Sequence, residues 1–108
     1  MSWNIILFES NRGEKPVEEF IKSLDKLTGP KINHHVRLLM KFGPILSMPS
    51  SKKITKNLYE LRIRGKQEIR ILYCFKNRNI YFIHAFKKQT QKTPRREIEI
   101  GIKRLDMI

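Results

Sequence analysis

The stretch LYELRIRGKQEIRILYCFKNRNIYFIHAF, Leu58 to Phe86, decides the fold. Apolar and polar residues alternate along Leu58–Arg64, Glu68–Phe75 and Asn79–Phe86, the period of strands that turn one face to a core. Gly65-Lys66-Gln67 and Asn77-Arg78 separate these runs and suit tight antiparallel turns. Parity then sets the register. Putting Tyr59, Leu61 and Ile63 on one face with Ile69, Ile71, Tyr73 and Phe75 requires a three-residue turn and pairs Ile63 with Ile69. Arg62 falls opposite Arg70, with Glu60 near enough to touch both. Continued through a two-residue turn, the same parity keeps Ile80, Phe82, His84 and Phe86 on the core side. It sets Ala85 beside Arg70 on the other side, the face that Lys87 shares.

Upstream, Trp3–Phe8 is a short apolar run that reads as a strand buried on both faces. From Pro16, Val17, Phe20, Ile21, Leu24 and Leu27 recur at helical spacing, with Glu14, Glu18 and Glu19 at the favourable end of the dipole. Thr28-Gly29-Pro30 interrupts. Ile32, Val36, Leu39 and Met40 resume the period until Gly43-Pro44 stops it, so a helical hairpin is expected. Ile45–Asn57 reads as irregular and carries Lys52, Lys53 and Lys56 with no acid. Downstream, Thr93-Pro94 reads as N-cap and first residue of a last helix with Ile98, Ile102 and Leu105 as its apolar stripe. The order is βααβββα. An α+β domain over residues 1–108 is expected, its helical hairpin and C-terminal helix packed with a small, mainly antiparallel sheet.

Charge narrows the function. The 108 residues hold 23 Lys and Arg against 10 Asp and Glu, a formal net charge of +13. The excess lies almost wholly after residue 27, which favours a polyanionic partner, most often nucleic acid, over a merely solubilising surface. The lone Cys74 rules out an internal disulfide, cannot build a cysteine-based zinc site and fits a reducing compartment. The start, MSWNIILFES, lacks a secretory pattern and no run reaches membrane length, so the cytoplasm is expected.

Two arginines opposed on neighbouring strands repel, at a cost of up to about 1 kcal/mol, and something must compensate. Either Glu60 bridges them in a surface ion cluster, or a phosphate fills the gap on an open β surface above Ala85. In the second case Lys52, Lys53, Lys56, Lys87 and Lys88 border the cleft. HAFKKQTQKTPRRE, His84–Glu97, forms one wall with Lys92, Arg95 and Arg96. The histidines fit structural roles better. His34 and His35 are adjacent on a helix and point apart, so no metal site is expected, and His84 is expected buried and hydrogen-bonded.

NLYELRIRGKQEIRILYCF and IYFIHAFKKQTQKTPRREIEIGIKR resemble the RelE/ParE toxin superfamily, in particular its HigB-like, phage-derived branch. A departure is Glu68-Ile69 before Arg70, where many relatives carry an aromatic residue. The resemblance implies the toxin of a type II toxin–antitoxin system: an mRNA interferase that enters the ribosomal A site, cleaves translated mRNA and is neutralised by a helix-turn-helix, HigA-like antitoxin. Arg62, Arg70, Lys87 and Lys88 match functional positions of the family, and the segment with Lys52, Lys53 and Lys56 has a counterpart. Cleavage of this kind uses no cofactor: the 2′-hydroxyl attacks the adjacent phosphate while cations stabilise the phosphorane. Arg62 and Arg70 suit that stabilisation and Lys87 could assist or act as acid. Glu60 is the candidate base, weakened by the arginines that deepen its ionisation. A ParE-like gyrase poison and a non-enzymatic nucleic-acid-binding module are the alternatives.

Overall fold

The computed structural model describes residues 3–108; Met1 and Ser2, at the head of the segment read for a leader, lie outside it. The hairpin region forms as its pattern predicts. Strands β3 (Leu58–Ile63) and β4 (Ile69–Lys76) pair antiparallel with Ile63 opposite Ile69 and Arg62 opposite Arg70. β4 turns into β5 (Asn79–Lys87) through Asn77 and Arg78, whose φ values of 52° and 63° are those of a tight hairpin turn. β1 (Asn4–Leu7) adds to β5 in parallel, and β2 (Ser51–Thr55) adds to β3 on the far side, giving the sheet order β1-β5-β4-β3-β2.

Two strand expectations change. The lysine-bearing segment expected to be irregular contains β2, so the order is βααββββα. Its Ser-Lys-Lys-Ile-Thr run conceals a strand because it is an edge, where lysines are tolerated and discourage further pairing. Its Ser51 hydroxyl is hydrogen-bonded to the Tyr73 phenol, a buried contact that ties the edge to the core. β1 is the opposite edge rather than a strand buried on both faces. Only Ile5 and Leu7 reach the core, while Asn4 and Ile6 face outward.

The helices cover both faces. α1 (Pro16–Lys22) and α2 (Thr28–Phe42) pack Val17, Ile32 and Leu39 on one face, against Leu61, Ile63, Ile71, Tyr73, Ile80 and Phe82. Fully burying each such side chain contributes about 1.5–3 kcal/mol. Thr28-Gly29-Pro30 opens α2 rather than separating the helices, since proline is tolerated in a first turn. Asp25 accepts from the Thr28 amide and hydroxyl at 3.0 and 2.7 Å, which lowers its pKa. Leu27, expected on the apolar stripe, is 77% exposed in the link between them. α3 (Arg95–Leu105) lies on the second face, where Phe8, Leu58, Leu72, Ile83 and Phe86 form a smaller cluster with Ile98 and Leu105. Ile102 faces solvent instead; Gly101 is the residue against the sheet, where a Cβ would sit 2.9 Å from Leu72 Cδ1.

Gly43 ends α2 at a φ of 54°, and a Cβ there would lie 2.4 Å from Trp3 Nε1. Both strain and collision act on any side chain. Gly43→Ala is therefore expected to cost about 1–3 kcal/mol, read as a lower thermal midpoint.

A bulge in β5 reverses the parity of its second half. Tyr73 pairs with Phe82 but Leu72 pairs with His84, leaving Ile83 as the extra residue. Beyond it Ala85 joins the hairpin-side core, while His84 and Phe86 move to the α3 side. The expected placement is thus inverted: Phe86, not Ala85, lies opposite Arg70. Lys87 pairs with Ile69 and so belongs to the hairpin side, leaving Lys88 to approach the arginines.

Candidate functional site

Glu60 and Arg62 alternate outward from the hairpin-side core along β3, and the β3–β4 register brings Arg70 beside them. Glu60 Oε1 accepts from Arg70 Nη1 at 2.7 Å and from Arg62 Nε at 3.2 Å. Its Oε2 accepts from the Thr93 hydroxyl at 2.5 Å. The carboxylate therefore compensates the arginine pair, and it does so as a buried group: Glu60 is 0% exposed, Arg70 4% and the Arg62 side chain 14%. The face is not the open surface expected from alternation alone. It is closed at Glu60 and Arg70 and opens at Arg62, whose Nη1 also lies 3.6 Å from Met48 Sδ.

Thr93 joins this cluster, a place its sequence pattern did not give it. Expected as the N-cap, it instead turns its hydroxyl to Glu60, and Pro94 takes the cap position without a side-chain hydrogen bond. Sequence could have flagged it only through a buried carboxylate needing a further donor. With both oxygens engaged and no exposed surface, Glu60 is placed to orient the guanidinium groups. The base role expected of it does not fit that burial.

The second arm of Arg70, Nη2, donates to Glu68 Oε2 at 3.1 Å, which also meets Lys88 Nζ at 3.4 Å. The hydrogen bond from Arg70, then that from Lys88, lowers the Glu68 pKa. Lys52 is registered with Glu60 and so shares this side of the sheet, exposed on the edge. Lys53 is registered with Tyr59 and belongs to the other side, and Lys56 sits in the turn after β2. Lys92, Arg95 and Arg96 are exposed along the approach to α3 and its first turn, Arg95 pairing with Glu99 at 3.3 Å. Thus the structure brings Glu60, Arg62, Arg70 and Lys88 together, with Lys52 on the same side, and separates Lys87 and Lys53 from them. Among the described residues no three His, Cys, Asp or Glu side chains are grouped to hold a metal ion.

His84 is hydrogen-bonded as expected but half-buried, and the bulge puts it on the same α3 side as this cluster, in register with Leu72 and through it with Glu60. Its Nδ1 faces Arg104 Nη1 at 3.3 Å, which can only donate, so Nε2–H donates to Glu97 Oε1 at 3.0 Å. Burial lowers its pKa more than Glu97 raises it, and Arg104 adds to the lowering. The unfolded chain binds the proton more readily, so this contribution is complete above the ordinary value of 6.5 and is lost as pH falls below it. Thermal midpoints measured from pH 7 to pH 5 should fall more steeply for the wild type than for His84→Gln.

A family described as phage derived protein Gp49-like matches residues 19–106, a span that includes every residue of this cluster. No curated protein matches the sequence. No helix among the described residues is long and apolar enough to cross a membrane.

Proposed function

Since the chain belongs to the phage-derived Gp49-like family, a family of RelE/HigB-like toxins of toxin–antitoxin systems, we propose that it is a ribosome-dependent mRNA endoribonuclease of the HigB-like branch. It acts in the cytoplasm on mRNA in the ribosomal A site and is restrained by a HigA-like, helix-turn-helix antitoxin. The observation that carries this reading is the guanidinium pair of Arg62 and Arg70 on neighbouring strands, oriented by one carboxylate between them.

Transesterification at RNA needs no covalent help from the protein. The 2′-hydroxyl attacks phosphorus, the 5′ oxygen leaves, and negative charge gathers on the non-bridging oxygens in between. Forked donors that stay ionised and are held in place match that charge without reorganising during the reaction. Glu60 supplies the holding, spending Arg62 Nε and Arg70 Nη1 so that each fork has a fixed plane. Lys88 takes the assisting role expected of Lys87, because the bulge turns Lys88 to this side. Lys52, Lys92, Arg95 and Arg96 take flanking phosphates, while Lys53 and Lys56 serve sequence-independent contact with ribosomal RNA.

The reading is tested by primer extension on mRNA from cells expressing the chain. Discrete breaks within translated frames, absent with Arg62→Ala, are expected. Intact mRNA together with gyrase-linked DNA breaks would replace this reading with the gyrase-poison one.

A further inference from the structure

Glu68 does nothing for the reaction described above, yet it occupies the best-placed cations of the face. Its Oε2 takes both Arg70 Nη2 and Lys88 Nζ, and the Lys88 amide donates to the Glu68 carbonyl at 2.9 Å. That backbone bond holds the two cation-bearing strand ends together whatever the Glu68 side chain does. The carboxylate itself is a third exposed and makes no other hydrogen bond, and a shallow pocket beside it is lined by Lys88, Gln89, Thr90 and Gln91. Rotating into water costs the carboxylate its contacts with Arg70 and Lys88 and no others. Arg70, by contrast, is fixed: Nη1 is held by Glu60, and its buried Nε has no hydrogen-bond partner. A buried guanidinium with an unspent N–H has donor capacity that Glu68 does not use.

A carboxylate and a phosphodiester are both singly charged and present paired oxygens, so a fork and an ammonium that receive one also receive the other. We propose that Arg70 Nη2 and Lys88 Nζ form a phosphodiester seat which the Glu68 carboxylate fills as an internal stand-in until RNA displaces it. The identity of the ligand as RNA rests on the ribonuclease reading; the seat and its occupant rest on the geometry alone. Glu68 thereby sets an affinity threshold, since RNA sees only the fraction of molecules in which the carboxylate has left. It also explains how a nearly buried Arg70 can meet a substrate without the core opening.

The test uses binding of a 2′-O-methyl RNA hexanucleotide, which cannot be cleaved, and of inorganic phosphate. Glu68→Gln is expected to bind the hexanucleotide about tenfold more tightly than the wild type, a change of about 1.4 kcal/mol. Adding Lys88→Ala to Glu68→Gln should remove the gain. Glu18→Gln, which deletes the same charge from α1 where Glu18 pairs with Lys22, should give little. An equal gain from Glu18→Gln would reduce the effect to net charge and overturn the proposal, as would unchanged binding by Glu68→Gln. Tighter phosphate with unchanged hexanucleotide would overturn the assignment to RNA. Because binding is read without cleavage, a Glu68→Gln chain that cuts mRNA but binds no better defeats the stand-in alone, and one that binds better without any chain cutting mRNA defeats only the ribonuclease reading.

Discussion

Glu60→Ala is expected to lower the unfolding free energy by about 3–5 kcal/mol, because it takes the central counter-ion from the buried Arg70 guanidinium and unpairs the half-buried Arg62 beside it. Arg70 is 4% exposed and would keep only Glu68 as counter-ion, and Arg62 would face it across the strand pair with nothing between. Thr93 would also lose its acceptor, loosening the segment that leads into α3. For a domain whose whole stability is about 5–15 kcal/mol, that loss is large. Urea denaturation of the purified variant measures it. A loss under about 1 kcal/mol would mean that the cluster behaves as an ordinary surface network, at odds with its burial.

Arg62→Ala and Arg70→Ala are expected to separate. Removing Arg62 leaves Glu60 paired with Arg70 and Thr93, so the fold should be nearly unchanged. Cleavage should fall about 10²–10³-fold, the usual effect of deleting one preorganised donor to developing charge. Removing Arg70 takes away the shorter of the two guanidinium hydrogen bonds to a fully buried carboxylate, at 2.7 Å, and the partner of Glu68 as well. That variant should lose stability and cleavage together. Alternation alone places Arg70 on an open β surface; its burial reverses that expectation, and Arg62 becomes the residue whose loss reports on chemistry.

The β3–β4 hairpin was legible because two independent signals agree there: the length of the Gly65-Lys66-Gln67 separator and the parity of the flanking apolar residues both pair Arg62 with Arg70. The second half of β5 was not. Ile83 is apolar and fits either face, so nothing in the alternation marks the bulge, and every side chain beyond it changes sides. The exchange of Lys87 for Lys88 follows from that one residue. β2 escaped notice because an edge strand can carry Lys52 and Lys53 at the cost of its apolar pattern. Thr93 and Glu68 escaped it because their roles depend on partners brought close only by the sheet, Glu60 for one and Lys88 for the other.

The most direct measurement is single-turnover cleavage of mRNA on programmed ribosomes by the wild type and Arg62→Ala, with unfolding curves taken on the same preparations. A fall of about 10²–10³-fold in the cleavage rate, at unchanged stability, is the expected result. Cleavage at the wild-type rate by a folded Arg62→Ala chain would contradict the assignment of the guanidinium pair to the scissile phosphate.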